Sequence, residues 1–182
     1  MKKNNLFRMM VIPLLLIGLS ISVPVFSQNS KENKLIDDSK EAQTEFIKGD
    51  SLMQSLFENS FGYVIFPNIG KGAIGIGGAA GNGIVFEKGT PVGSAKMKQV
   101  SIGFQFGGQA YREVIFFENE AALERFKQDK FEFAAQASAV AATKGASANV
   151  KYRDGVMVFT QEKKGLMYEA SIGGQKFSYA SF

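Results

Sequence analysis

Four cations, Lys71, Lys88, Lys96 and Lys98, fall in a stretch that holds a single anion, Glu87. That balance suits contact with an anionic surface, where each Lys near the headgroups contributes about 1 kcal/mol. In a strand-rich segment, lysines also blunt exposed sheet edges. The stretch opens with Gly70-Lys71-Gly72-Ala73-Ile74-Gly75, which fits the spacing of a dinucleotide-binding loop. Such a loop needs a helix directly after it, so that the helix amides can hold a pyrophosphate. Ile76-Gly77-Gly78-Ala79-Ala80-Gly81-Asn82-Gly83 carries too many glycines to form that helix.

Most enzyme chemistry is closed to this chain, which has neither His nor Cys among its 182 residues. There is no imidazole base, no thiol nucleophile and no thiolate or imidazole metal ligand. No Ser has a Lys three residues later, so the Ser-Lys nucleophile is absent as well. Glu113, Glu118, Asp154, Glu162 and Glu169 flank expected strands and read as solvated ends. No loop gathers enough acids to hold a hard cation. No catalytic residue, metal or cofactor is assigned.

The N-terminus has the form of an export signal. Lys2, Lys3 and Arg8 precede an apolar run from Met9 to Ile21, and Val25-Phe26-Ser27 supplies a cleavage site before Gln28. The run is shorter than the ~20 residues a membrane span needs. Residues 1–27 are therefore expected to leave, followed by a flexible segment 28–34 and one domain over 35–182. Removal leaves 18 cations against 17 anions, so the basic character of the full chain lies mostly in the signal. A nucleic-acid partner, which requires a strongly cationic face, is not expected.

The elements that must position the lysines follow from periodicity. Apolar residues from Leu35 to Phe57 recur at three-, four- and seven-residue steps and predict an amphipathic helix. Gly49-Asp50-Ser51 breaks it, and Asp50 or Ser51 is placed to cap a second short helix. Strands are expected over Tyr63–Phe66, stopped by Pro67-Asn68, then over 73–80 and Ile84–Phe86 with a tight turn at Asn82-Gly83. Residues 100–110 alternate, and Val114–Phe117 reads as buried. Asn119 caps a helix carrying Ala122, Leu123 and Phe126. Further strands are expected at 131–141, 148–153, 156–160, 165–172 and 176–180, with turns at Asp154-Gly155 and Lys164-Gly165. Thirteen of the 20 glycines lie between Gly62 and Gly108, where they permit a strongly bent sheet or a backbone bared to a ligand. The fold class is α+β: a curved antiparallel sheet of short, Gly-rich strands, curling toward a barrel, with an N-terminal amphipathic helix and one mid-chain helix.

Gly62-Tyr63-Val64-Ile65-Phe66-Pro67-Asn68, followed by Gly72, Gly75, Gly77-Gly78 and Gly81-Asn82-Gly83, resembles the opening of the SYLF domain family. Gly103-Phe104-Gln105-Phe106-Gly107-Gly108-Gln109, Ile115-Phe116-Phe117, Asn119, Ala122-Leu123 and Gly165-Leu166-Met167 continue the likeness over residues 35 to 180. The family includes exported bacterial proteins and the lipid-binding domains of yeast and animal actin-patch adaptors. The resemblance implies membrane-lipid binding, described in eukaryotic members as phosphoinositide recognition aided by an N-terminal amphipathic helix. Some of those members bind actin, a partner not expected for an exported chain.

These readings converge on an exported, non-enzymatic protein of the periplasm or cell envelope, or a secreted one. It binds phospholipid or other amphiphiles at an anionic membrane surface or in an apolar groove. Lys71, Lys96 and Lys98 are the candidate headgroup contacts, and Phe46 and Ile47 the candidate apolar ones. Two alternatives stand beside it: an envelope scaffold that binds protein partners, and a small outer-membrane β-barrel.

Overall fold

The computed structural model describes residues 26–74, 76–100, 110–128, 131–133, 138–163 and 169–182. Three long strands open the sheet: β1 (Gly62–Ile74), β2 (Ile76–Glu87) and β3 (Thr90–Val100). They are joined to β4 (Ala110–Phe117), β5 (Ser138–Ala141), β6 (Val156–Glu162), β7 (Glu169–Ser171) and β8 (Gln175–Ser181). The eight strands lie in the order β7-β5-β6-β4-β1-β2-β3-β8. Every pairing is antiparallel except β5 with β6, which is parallel.

This order forces the sheet to curl. β7 and β8 are its two edges, yet only residues 172–174 separate them in the chain. Four Cα steps reach at most about 14 Å, whereas eight strands laid flat would put the edges about 34 Å apart. Phe133 sits at the resulting seam, donating to the Gln175 carbonyl at 3.3 Å and accepting from Gly174 N–H at 3.1 Å. No ladder joins β7 to β8 among the described residues, so the sheet curls toward a barrel without closing.

Both faces are packed. The inner face holds Val64, Phe66, Val85, Ile115, Val158 and Phe177, together with Leu123 and Phe126 of α3 (Glu120–Lys127). The outer face of the central strands holds Tyr63, Ile65, Ile84, Phe86, Phe116 and Phe159. It lies beneath α1 (Phe26–Gly49) and α2 (Met53–Asn59). Ser39, Ala42 and Phe46 of α1 are buried at three- and four-residue spacing, which is the expected amphipathic stripe. Phe57 of α2 meets Tyr63 edge-on with ring centroids 5.1 Å apart.

Several expectations hold. α3 starts at the predicted cap, with Asn119 Oδ1 accepting from Ala122 N–H at 3.0 Å. The helix break at Gly49-Asp50-Ser51 is present, and Asp154-Gly155 forms a turn with positive φ at both residues. Others are corrected. Residues 28–34 are helical, as part of α1. β1 runs through Pro67-Asn68, because the chain bulges there: the register slips between Ile65 and Asn68 against β2, and between Phe66 and Ile69 against β4. A bulge leaves a residue outside the ladder, which suits a Pro that has no N–H to give. Asn82-Gly83 lies inside β2, and the reversal comes later at Lys88-Gly89, with φ of 48° and 80°. Residues 148–153 hold the end of a 3-10 turn over Ala146–Asn149 and no strand. Among the described residues of 131–141, Ser138–Ala141 is a strand and Glu132 forms an isolated bridge with Lys176. The alternating segment 101–109, the Lys164-Gly165 turn and the Gly165-Leu166-Met167 motif lie outside the described residues, as do residues 1–25.

Candidate lipid-contact surface

The outer face of β3 and β8 holds no residue of the helix-covered cluster among the described residues, and it is cationic. In register across β3 and β8, Lys98 lies directly opposite Lys176, and Lys96 opposite Ser178. On β2 the same rows continue as Ala80 and Asn82. Lys96 and Lys98 are exposed, and the Lys176 side chain is 72% exposed, with Glu132 at 3.5 Å. Like charges directly opposite on a sheet repel. Lys96, Lys98 and Lys176 thus share one sheet face, with Glu132 the acid beside Lys176.

Lys71 does not share these rows. It pairs with Ala79, whose neighbours across the sheet are Gln99 and then Gln175, while Lys98 is in register with Ala80 and Gly70. The bulge at Pro67-Asn68 advances β1 by one residue, and side-chain alternation has period two. Lys176, not singled out in the sequence reading, is the residue that register places opposite Lys98. Its signal was the alternation of Gln175, Phe177 and Tyr179 with Lys176, Ser178 and Ala180, read against the spacing of Lys96 and Lys98.

The apolar candidates part company. Phe46 is fully buried and belongs to the helix–sheet core, so a lipid contact through it requires α1 to lift from the sheet. Ile47, half-buried, lines a groove of about 690 Å³ between α1, α2 and the β2–β3 turn. Phe57 and Tyr63 form its wall, and Lys88 and Glu58 stand at its rim. The Lys88 ammonium also sits 5.3 Å above the Phe61 ring. Burial pushes the Tyr63 hydroxyl above its ordinary range, against a smaller opposing hydrogen bond with Gln43, so it stays protonated. Gln43, Gln54 and Ser60 line it as well, so its surface is mixed polar and apolar.

A third feature lies inside the curl. Glu113, expected at a solvated strand end, is fully buried on the inner face of β4 between Tyr111 and Ile115. Gln175 Nε2 donates to its Oε2 at 3.0 Å, while its Oε1 has no partner. Burial pushes this carboxyl up to about 7, opposed by the Gln175 bond. Nothing in the local sequence announced it, because Glu113 follows Arg112 in a segment that alternates only when the inner and outer clusters are known.

Among the described residues no three of His, Cys, Asp and Glu gather as a metal site. No helix among them is long and apolar enough to cross a membrane. Residues 98–181, from the patch lysine Lys98 through β8, match the family described as Las17-binding protein actin regulator. The matched segment agrees with the SYLF resemblance carried by the sequence motifs. The chain is also 28% identical over 123 residues to "Beta cell expansion factor A" of Aeromonas veronii. That likeness covers 67% of this chain and 47% of the relative, so the chain spans less than half the relative's length. The matched segment includes Lys98, Glu113, Gln175 and Lys176, whereas Phe46, Ile47, Lys71 and Lys96 lie before it.

Proposed function

We propose that this chain is an exported, non-catalytic lipid-binding protein that seats anionic phospholipid headgroups on Lys96, Lys98 and Lys176. The observation that carries the reading is the opposition of two exposed lysines, Lys98 and Lys176, on one sheet face that no helix covers among the described residues. A costly like-charge pair gains from an anionic layer what it loses in repulsion, and neighbouring Ser178 and Asn82 add hydroxyl and amide groups for phosphate oxygens. The groove at Ile47, Phe57 and Tyr63 is the place for an acyl chain. The SYLF family's link to lipid binding supports the same reading.

The test is co-sedimentation of the protein with zwitterionic and anionic phospholipid vesicles at low and high salt. Binding confined to anionic vesicles and falling with salt is the expected result. Replacing all three lysines with Gln should weaken it by about 100-fold, at roughly 1 kcal/mol for each charge. Binding that ignores both salt and the substitutions would move the site to the groove.

A second reading, a scaffold that holds a protein partner, draws on the family description, which names a protein-binding regulator. Actin itself is not proposed for an exported chain. Absence of binding to either vesicle type would put this second reading first.

A further inference from the structure

We propose that Glu113 is a proton-controlled latch that holds β8 to the interior of the curled sheet, and with it the Lys176 half of the cationic patch. The clause about the patch rests on the lipid reading above; the latch itself does not.

The geometry is a bond thrown across the sheet's hollow. β4 is central and β8 is an edge, with β1, β2 and β3 between them in the sheet. The Glu113–Gln175 hydrogen bond nevertheless joins the two directly, through the inside of the curl. β8 has one ladder partner, β3, and its first residues border the seam where no ladder forms among the described residues. Besides the Phe133 contacts, that end is held by Gln99 Nε2 donating to the Gly173 carbonyl at 3.0 Å. Gln175 is therefore a tether at the place where the sheet is easiest to part.

Burial decides which protonation state the closed tether favours: the Gln175 bond suits a carboxylate, but the cost of a fully buried charge outweighs it. Glu113 Oε1 and Gln175 Oε1 are both buried acceptors without a donor. A proton on Glu113 removes a buried charge and adds one O–H donor beside these acceptors. Among the described residues the facing groups offer an ionised carboxylate no cation. Phe66 stands opposite on β1, Thr160 opposite on β6, Gln175 on β8, and Tyr111 is the next inner residue on β4. Gln99 is in register with Gln175. The nearest charge on that face of β6 is Glu162, half-buried and in register with Tyr111, which has the same sign. Burial and the Glu113 charge both push the Tyr111 hydroxyl upward, so it stays neutral throughout. An ionised Glu113 thus gains water only if β8 swings away. Gln175 and Lys176 are consecutive, so the same swing carries Lys176 out of register with Lys98.

Hydrogen exchange of the lipid-free protein tests the latch. Amides of Phe177 and Tyr179, read as protection relative to β1–β2 and corrected for intrinsic rate, should lose about tenfold or more between pH 5.5 and pH 8. In Glu113→Gln that loss should vanish. Unchanged relative protection in the wild type would overturn the latch. If Glu113→Gln fails to fold, the infrared carbonyl band of a buried protonated carboxyl decides. The band should be present at pH 5.5 and absent at pH 8, and its absence at both would overturn the latch. Vesicle binding by the lysine-to-Gln triple variant is scored separately, so loss of the lipid reading leaves the exchange result intact.

Discussion

The Asp50 carboxylate accepts from both the backbone N–H and the hydroxyl of Ser147, at 2.8 and 2.7 Å, across 97 residues of sequence. Its other oxygen accepts from Leu52 N–H at 3.1 Å. One buried acid thereby fixes the corner between α1 and α2 and pins it to the 3-10 turn at Ala146–Asn149. Burial pushes this carboxyl up, but the bonds from Ser147 and the backbone outweigh it and leave the group below its ordinary value. Asp50→Ala strands those donors and should cost about 1–3 kcal/mol in urea unfolding at neutral pH. Because the folded-state value is depressed, the stabilisation is present above the ordinary carboxylate range and fades as pH falls through the folded value. Wild type and variant should converge as pH falls below the ordinary carboxylate range and the folded-state carboxyl takes up its proton.

Glu113 has the opposite sign. Its value rises from 4.5 in the unfolded chain to about 7 in the folded one. The native state then holds a proton that the unfolded state has released. Stability should fall as pH rises from about 4.5 to about 7, by roughly 3 kcal/mol in all, and level off above that. Glu113→Gln should flatten this part of the stability–pH curve, measured by urea unfolding at several pH values. A curve that keeps its slope in the variant would assign the slope to another group.

Two glycines in the same segment should respond in opposite ways. A Cβ on Gly83 would stand 2.5 Å from the Ile65 carbonyl oxygen and 2.7 Å from the Phe66 ring. Gly83→Ala forces backbone against backbone and should cost about 1–3 kcal/mol. A Cβ on Gly70 meets nothing within 4 Å, so Gly70→Ala should stay within about 0.5 kcal/mol. Thermal melts of the two variants decide whether close approach, at least at Gly83, is what the glycines serve.

Lys98→Gln should separate stability from binding. It relieves the repulsion with Lys176 across β3–β8, and should raise stability by about 0.2–0.5 kcal/mol. The same change should weaken binding to anionic vesicles by about fivefold. A loss of both would show that Lys98 serves the fold instead.

Local chemistry was legible where it acts within a few residues. The Asn119 cap, the Asp154-Gly155 turn and the amphipathic stripe through Ala42 and Phe46 could each be read from neighbours. What failed depended on distant partners. Asn82-Gly83 has the composition of a turn, but pairing with both β1 and β3 keeps it extended, and the reversal falls to Lys88-Gly89. Pro67 stops a regular ladder but not a bulged one. The one-residue phase change that follows set Lys71 apart from Lys98, and hid Lys176 as Lys98's neighbour. Glu113 looked like a surface acid because only the curl, closed by residues over 60 positions away, puts it inside.

The three-residue link between β7 and β8 also bears on how the molecule assembles. β3 must wait for β8 across 74 residues, as the Gln99–Gly173 bond records, and long-range pairing of this kind is slow. Until β8 docks, Phe126 and Phe133 lack the Phe177 ring that packs 5.2 and 5.7 Å from theirs. Without β8 in place the sheet is an open trough, and the rings of Phe126 and Phe133 that line it lose a packing partner.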